Sequence, residues 1–263
     1  MARVVAVSNQ KGGVGKTTTT VNLAAALAAR DRRVLVVDMD PQGNATSGLG
    51  VPRTDLTGGI YDVLLGFRDL SSVLTPTEHD GMHLVPATQD LVGAELELVD
   101  EAGRERRLRR VLATAREDYD DILIDCPPSL GLLTVNALVA ADAVLIPLQA
   151  EYYAMEGLGD LLRTVAAVRK SLNPDLRREG ILITMTDQRN RLCREVETEA
   201  RKLFGDGVLR TVIPRNVRLG EAPSYGKPIV QYDPKSAGAH AYMALANEIV
   251  LRRTNFGRGQ EAR

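Results

Sequence analysis

The residues with the clearest chemical purpose form a glycine-rich run near the start of the chain, KGGVGKTT. Its glycines let the backbone turn so tightly that successive N–H groups point into one concavity, which suits a phosphate group. Lys16 can neutralise phosphate oxygens, and the Thr17 hydroxyl can hold a magnesium ion that bridges them. The run therefore predicts a site for a nucleoside triphosphate with Mg²⁺. Its nucleotide-binding residues are Lys11, Gly12, Gly13, Val14, Gly15, Lys16, Thr17 and Thr18.

The flanking sequence supplies the elements that would hold this run in place. An apolar, β-branched segment from Val4 to Val7 predicts a buried strand, and Thr17 opens the helical pattern VNLAAALAA. The positive end of the helix would then face the phosphates. A strand, a glycine turn and a helix start together have the geometry of a phosphate-binding loop.

Three aspartates follow apolar segments in positions that suit metal binding or water activation. Asp38 ends the strand VLVVD, Asp40 follows two residues later, and Asp125 ends a strand whose core is Ile122 to Ile124. The carboxyl ends of parallel strands share one edge of a sheet, so we expect these carboxylates to face the phosphates. Asp125 is predicted to hold Mg²⁺, usually through water.

Strands alternate with helices over the whole chain of 263 residues. This alternation is typical of βαβ units and predicts an α/β fold, a single domain with a mostly parallel twisted β-sheet flanked by helices on both faces. The length lies within reach of one-domain α/β folds. We expect the domain to span residues 1–254, with a last helix from Ala237 to Arg253, and a polar tail to cover residues 255–263.

Composition argues against some functional classes but does not by itself identify one. The net charge of −1 gives no global basic signature, so nucleic-acid binding would need a local patch. Cys126 and Cys193 are the only cysteines and lack C-x-x-C spacing, which favours reduced thiols in a cytosolic protein over a disulfide or a metal site. No apolar run approaches the ~20 residues that cross a bilayer. The expected location is the cytoplasm.

The glycine-rich run departs from the common pattern G-x-x-x-x-G-K-[ST] in one respect. Gln10 stands where that pattern has its first glycine, and a second lysine, Lys11, heads the loop. In this form KGGVGKTT resembles the deviant Walker A motif of the ParA/MinD family of ATPases. Later segments, DMDPQGNAT, DCPPS and TVIPRNVRLGEAPSYGKPIVQYDPKSAGAHAY, resemble the ParA/Soj branch, whose members segregate chromosomes and plasmids. The resemblance covers the chain from Arg3 to about Arg253.

The resemblance implies a role for each matching residue. Lys11 would reach across a nucleotide-sandwich dimer to the partner's phosphates, so that ATP joins two subunits. Asp40 would position or activate the attacking water, with Asp38 closer to the magnesium ion. The implied catalytic residues are Lys11, Lys16 and Asp40, the metal-binding residues are Thr17, Asp38 and Asp125, and the loop that contacts adenine contains Pro214 and Asn216.

The same resemblance implies partners. The ATP-bound homodimer would bind double-stranded DNA of the nucleoid through phosphate contacts, with Arg189, Arg215 and Arg218 as the candidate residues. Hydrolysis, slow in the isolated chain and stimulated by a ParB-type centromere-binding protein, would release the DNA. The basic run from Arg104 to Arg110 is an alternative DNA contact, although such runs are usually the solvated face of a helix.

Two other classes stay open. A MinD-like membrane-surface ATPase would share the nucleotide site, but it would end in a basic amphipathic helix with bulky apolar residues, whereas this sequence ends in TNFGRGQEAR. A nitrogenase iron-protein-like reductase or a metal-cluster carrier would need cysteines that bridge the dimer. Tyr152, Tyr153 and Met155 are candidate subunit contacts, with local packing as an equal alternative.

Overall fold

The apolar segments predicted as strands assemble into one seven-stranded sheet in the computed structural model, which describes the backbone of residues 1–151 and 154–261 and the side chains of residues 1–151 and 157–254. The strands are β1 (Arg3–Val7), β2 (Val34–Asp38), β3 (Thr75–Pro76), β4 (Met82–Val85), β5 (Asp121–Asp125), β6 (Ala143–Gln149) and β7 (Arg177–Thr184). Their spatial order is β3-β4-β2-β5-β1-β6-β7. The β3–β4 pair is antiparallel and the other pairs are parallel.

Helices make the crossovers that parallel strands require. The α-helices are α1 (Lys16–Ala28), α2 (Asn44–Gly48), α3 (Ile60–Leu65), α4 (Leu70–Val73), α5 (Ala94–Glu97), α6 (Arg107–Ala115), α7 (Leu132–Ala140), α8 (Ala154–Ser171), α9 (Arg191–Phe204), α10 (Val217–Glu221), α11 (Ile229–Tyr232) and α12 (Ala237–Glu261). Short 3₁₀ helices lie at Arg53–Asp55, Gln89–Val92, Arg104–Arg106, Gly205–Gly207 and Ala222–Tyr225.

The two faces of the sheet pack against different sets of helices. Successive side chains of β1 alternate between the faces, so Val4 and Ala6 join one core cluster while Val5 and Val7 join the other. The first cluster contains buried side chains of α6, α7 and α8, and the second contains those of α1 and α12. The predicted fold class, an α/β domain with a mostly parallel sheet covered on both faces, is confirmed.

The parallel register brings the predicted site residues to one edge. Asp38, the last residue of β2, is opposite Asp125, the last residue of β5. On the other side of β5, Asp125 is opposite Val7, which ends β1 just before the glycine-rich run. The carboxyl ends of three adjacent strands therefore meet where the phosphates were predicted to bind.

Predicted element bounds agree with the structure except near some ends. β7 begins at Arg177, ahead of its apolar stretch from Gly180, because its pairing with β6 extends into a polar segment. α12 continues past Arg253 to Glu261, since no proline interrupts it and extending a formed helix costs little. The side chains of three candidate subunit contacts fall outside the described part of the chain: Tyr152, Tyr153 and Met155.

A buried ionic network ties α12 to the opposite edge of the sheet. Asp121, fully buried at the start of β5, pairs with both Arg32 and Arg253. Glu179 of β7 accepts hydrogen bonds from Arg253 Nε at 2.7 Å and from Arg3 Nη2 at 3.3 Å. The carboxylates and guanidinium groups neutralise one another, and they hold α12 against the amino ends of β1, β5 and β7.

Asp121→Asn keeps the shape of the side chain and removes its charge, so Arg253 would be left buried with one carboxylate fewer. We expect the free energy of unfolding to fall by about 3 kcal/mol, as when a buried pair is broken from one side. Urea denaturation followed by circular dichroism measures the change. The control, Asp100→Asn at an exposed position, should stay within about 0.5 kcal/mol of the wild type. A variant as stable as the wild type would show that the network adds nothing.

Candidate nucleotide-binding site

The phosphate-binding loop lies between β1 and α1, and its shape depends on two glycines. Gly13 and Gly15 have φ values of +74° and +88°, a left-handed region that residues with a Cβ rarely enter. α1 begins at Lys16, so its unpaired N-terminal N–H groups and the positive end of its dipole face the loop. The loop therefore offers backbone donors and partial positive charge to an anion.

Lys16 extends its side chain back over the loop. The residue is only 7% exposed, and its Nζ donates a hydrogen bond to the carbonyl of Lys11 at 3.0 Å. Burial lowers the pKa of Lys16, whereas the negative charges of Asp125 and Asp40 raise it. An ammonium group held by a loop carbonyl can exchange that bond for a phosphate oxygen with little movement.

Asp125 is fixed by two hydroxyl groups of α1. Its Oδ2 accepts a hydrogen bond from Thr17 Oγ1 at 2.7 Å, and its Oδ1 accepts one from Thr20 Oγ1 at 3.0 Å. The two threonines lie three residues apart and so share one face of the helix. Sequence reasoning missed Thr20, for which this spacing from Thr17 was the available signal.

Asp38 is held by the segment that follows β2. Its Oδ2 accepts two hydrogen bonds from Thr46, from the backbone N–H at 2.8 Å and from Oγ1 at 2.7 Å. Its Oδ1 accepts a third from the backbone N–H of Asp40 at 3.2 Å. The Thr46 hydroxyl also accepts the N–H of Ala87, which links this segment to the end of β4. Thr46 lies inside a recognised motif, but the sequence assigned it no role.

The two facing carboxylates resist ionisation in the nucleotide-free protein. Burial, with the nearby charge of Asp38 as a second cause, raises the pKa of Asp125 to about 8. Burial likewise raises the pKa of Asp38 to about 6. A divalent cation stabilises the ionised form of a buried pair of carboxylates. Carboxylate and hydroxyl oxygens are the ligands that Mg²⁺ prefers. The donor set of Asp38, Asp125 and Thr17 therefore fits Mg²⁺.

Asp40 lies within the same group of charges. It is 7% exposed, and its Oδ1 accepts the backbone N–H of Gln42 at 3.0 Å. Its charge raises the pKa values of Lys16, Asp38 and Asp125, so it is near all three. The role predicted for Asp40 in positioning water stays a prediction.

Lys11 lies on the outer rim of the loop and is tied to the end of β6. Its Nζ pairs with Glu151 Oε2 at 3.0 Å. Its backbone N–H donates to Asn9 Oδ1 at 3.0 Å, and Asn9 Nδ2 donates to the carbonyl of Pro147 at 2.7 Å. Sequence reasoning missed Glu151, because nothing local to an exposed glutamate indicates a partner so distant in the chain.

A turn after β7 supports the other side of the loop. Thr184 Oγ1 donates to the carbonyl of Val14 at 2.9 Å. Met185 has a φ of +53°, which is unusual for a residue with a side chain, and its Cε lies 3.8 Å from where a Cβ on Gly15 would be. Such a conformation persists only where the surroundings enforce it. The turn and the phosphate loop therefore pack as one unit.

The candidate adenine-binding residues lie beside that turn. A backbone bridge pairs Thr186 with Pro214, and the N–H of Arg215 donates to the carbonyl of Thr186 at 3.0 Å. Asn216 caps α10 by accepting the N–H of Arg218 at 2.9 Å. The turn after β7 thus links this segment to the phosphate loop, while the adenine contact stays a prediction.

The three candidate DNA-binding arginines are exposed, but their ion pairing differs. Arg218 pairs with Glu221 at 2.8 Å and with Asp233 at 3.6 Å. Arg189 and Arg215 form no ion pair with any side chain that the structure describes. Arg189 and Arg215 are therefore the more available of the three for phosphate groups, and Arg218 would have to exchange partners.

Groups that suit phosphate and oxygens that suit Mg²⁺ thus meet at the carboxyl edge of a parallel sheet, which places the chain among the P-loop nucleotide-binding proteins. A family model described as an AAA domain matches residues 2–178. Chromosome partitioning protein ParA of Myxococcus xanthus is 56% identical over 97% of this chain and 90% of its own length. Sporulation initiation inhibitor protein Soj of Bacillus subtilis is 55% identical over 95% of this chain and 98% of its own. The chain belongs to the ParA/Soj family of partition ATPases.

A solved structure with bound nucleotide supports the same fold. The structure described as cobyrinic acid a,c-diamide synthase from Mycobacterium smegmatis, with bound ADP and magnesium, superposes with a TM-score of 0.86. Its sequence is 44% identical, and the match covers 98% of this chain and 97% of that one. In a separate observation, no helix among the described residues is both long enough and apolar enough to span a membrane.

The raised pKa values predict how stability depends on pH when nucleotide and magnesium are absent. Asp125 keeps its proton in the folded protein up to about pH 8, whereas in the unfolded chain it loses the proton near its ordinary value of 3.8. The folded state binds more protons in that window, so the free energy of unfolding should fall as pH rises through it.

Asp125→Asn removes this group from the titration and keeps its shape. Relative to the wild type, the variant should therefore gain stability between about pH 5 and about pH 8. Urea denaturation in the presence of a chelator measures the difference at each pH. Asp100→Asn should show no such trend, and a constant difference between Asp125→Asn and the wild type would contradict the assignment.

Proposed function

We propose that this partition ATPase works as an ATP-dependent dimer that binds DNA without sequence preference and releases it after hydrolysis. The observation that carries the proposal is the presence of two lysines with different positions in one phosphate loop. Lys16 is buried over the loop, and Lys11 lies on its outer rim. These positions support a role for Lys16 at the chain's own nucleotide and a role for Lys11 at a molecule docked against the rim.

Binding of ATP would use the loop as it stands. The N–H groups around Gly13 and Gly15 and the start of α1 would bind the phosphates, and Lys16 would exchange the Lys11 carbonyl for a phosphate oxygen. Thr17 with Asp125 and Asp38 would hold Mg²⁺. The metal, when bound, offsets negative charge on the phosphate oxygens.

Hydrolysis would depend on Asp40. Its carboxylate lies among the charges of Lys16, Asp38 and Asp125, at the edge where the γ-phosphate would be placed. A carboxylate there can orient a water molecule and accept its proton. With Asp40 as the one carboxylate assigned to water activation, and no arginine finger assigned from this chain, we expect a slow intrinsic rate. A ParB-type centromere-binding protein would accelerate it.

DNA binding would use the segment linked to the phosphate loop through the turn after β7. Arg189, Arg215 and Arg218 project from exposed positions near that segment. In a dimer two such sets would form a larger basic surface, and the chain would then bind the nucleoid in the cytoplasm. Contacts to phosphates carry no base information, so sequence preference should be absent.

A diamide synthase activity, named for one structural neighbour, is less well supported for this chain. Covalent catalysis by a cysteine needs an accessible, activated thiolate. Cys126 and Cys193 are both buried, and burial raises the pKa of Cys126 far above its ordinary value. The 55–56% identity to partition proteins favours segregation.

The proposal predicts that DNA binding depends on the nucleotide and on the exposed arginines. In gel-shift assays with unrelated duplexes, ATP with Mg²⁺ should retard all fragments, whereas ADP or no nucleotide should not. The double variant Arg189→Glu, Arg218→Glu should still dimerise with ATP but should bind DNA at least tenfold more weakly. Because the dimer would lose two phosphate contacts from each subunit, four in all, the log–log salt slope should flatten by about 3.6.

The matched control changes two exposed arginines of the alternative basic run, Arg106→Glu and Arg109→Glu. These changes should leave DNA binding within about twofold of the wild type, since such residues are typical of a solvated helix face. Loss of binding in the control instead of in the test variant would move the DNA surface to that run. Binding to anionic vesicles without binding to DNA would favour the membrane-surface class.

Asp40→Ala should slow ATP hydrolysis by at least about 100-fold, as expected when a general base is removed. Because the nucleotide would persist, the variant should stay dimeric and bound to DNA. Phosphate release and retention on a DNA-coated surface measure the two effects. Asp80→Ala, at an exposed position, is the control and should behave as wild type. Hydrolysis at the wild-type rate by Asp40→Ala would exclude the catalytic role.

A further inference from the structure

The lysine expected to act on the partner's nucleotide is already engaged within its own chain. Lys11 Nζ lies 3.0 Å from Glu151 Oε2, and the two side chains are 36% and 46% exposed. The pair therefore sits at the surface, on the rim that a second subunit would have to approach. One of the three N–H donors of the Lys11 ammonium group is thus committed to Glu151, and this pairing directs the side chain towards its own subunit.

Contacts with Gln149 fix the carboxylate of Glu151 in a position to pair with Lys11. Its second oxygen, Oε1, accepts a hydrogen bond from Gln149 Nε2, and its backbone N–H donates to the carbonyl of Gln149 at 2.8 Å. Gln149 is the last residue of β6, so Glu151 is anchored to the sheet and not to a free loop. Pre-organisation of this kind reduces the entropy lost in forming the pair.

The loop backbone around Lys11 is fixed from the nucleotide side as well. Lys16 Nζ donates to the carbonyl of Lys11, and the N–H of Lys11 donates to Asn9 Oδ1. A phosphate that takes the Lys16 ammonium removes the first of these bonds. Nucleotide binding therefore loosens the backbone of the same residue whose side chain Glu151 holds.

We infer that Glu151 is an autoinhibitory residue, which keeps Lys11 paired within its own subunit until ATP is bound and a second subunit replaces the carboxylate with phosphate. The inference rests on the proposed ATP-dependent dimer. Two pairs, one in each subunit, must break for each dimer that forms. Glu151 thus opposes association in the absence of a triphosphate.

Glu151→Gln removes the charge and keeps the shape, so it should favour the dimer. A partly exposed pair shifts an equilibrium by about 1.5- to 5-fold, and the two pairs of a dimer multiply to about 2- to 25-fold. We expect the dimer dissociation constant, measured by sedimentation velocity with a non-hydrolysable ATP analogue and Mg²⁺, to fall by about tenfold. Thermal denaturation of the nucleotide-free variant checks that the fold is intact, and Glu151→Ala should act in the same direction.

Glu101→Gln is the matched control. Glu101 is 52% exposed and pairs with Arg107 at 2.7 Å, so the change removes a similar ion pair and the same charge away from the phosphate loop. It should leave the dissociation constant within about twofold of the wild type. A shift equal to that of Glu151→Gln would attribute the effect to net charge and would overturn the inference.

The salt dependence of the dimer dissociation constant distinguishes the loss of an ion pair from a general structural effect of the substitution. Screening weakens the Lys11–Glu151 pair of the wild type, so the advantage of Glu151→Gln should shrink as NaCl rises from about 0.05 M to about 0.5 M. If the wild type dimerises and Glu151→Gln leaves the dissociation constant unchanged or raises it, the inference about Glu151 is overturned. The proposed function is then unaffected. A wild type that stays monomeric with the analogue would instead contradict the proposed function.

Discussion

A pair of buried carboxyl groups at one edge of a parallel sheet is the constraint on which the site depends. The register places Asp38 directly opposite Asp125, and burial removes the water that would otherwise stabilise both charges. Nearby polar groups offset this charge: the threonines of α1 and α2 donate to the carboxylates, and Lys16 lies beside them. Without nucleotide, burial therefore disfavours the charged forms of these two carboxyl groups. A magnesium ion bound together with a polyanion would stabilise those charged forms.

The phosphate loop contacts two different surface segments. On one side, Thr184 joins the carbonyl of Val14 to the turn that leads to Arg215 and its neighbours. On the other side, Glu151 holds Lys11. In the proposed mechanism a ligand that rearranges the loop acts on both surfaces through a few hydrogen bonds. Dimerisation and DNA binding then respond to one event, with no separate signalling domain required.

Features encoded within a short segment could be predicted from the sequence. The strands, the glycine loop and the aspartates that end β2 and β5 all follow from residue type and local order, and parallel pairing then places them together. Contacts between distant segments could not be predicted. Glu151 is 140 positions from Lys11, and no local pattern selects one exposed carboxylate among many. Met185 adopts a backbone conformation that its own preferences oppose, so propensity predicts the wrong geometry there.

In the proposed mechanism, the conversion of this chain from a single copy into a pair depends on a triphosphate. Its most direct test is the mass of the wild-type protein in solution, measured by light scattering with a non-hydrolysable ATP analogue and Mg²⁺ and again with ADP. We expect twice the mass of the single chain with the analogue and the single-chain mass with ADP. A single-chain mass in both conditions, with the analogue shown to be bound, would contradict it.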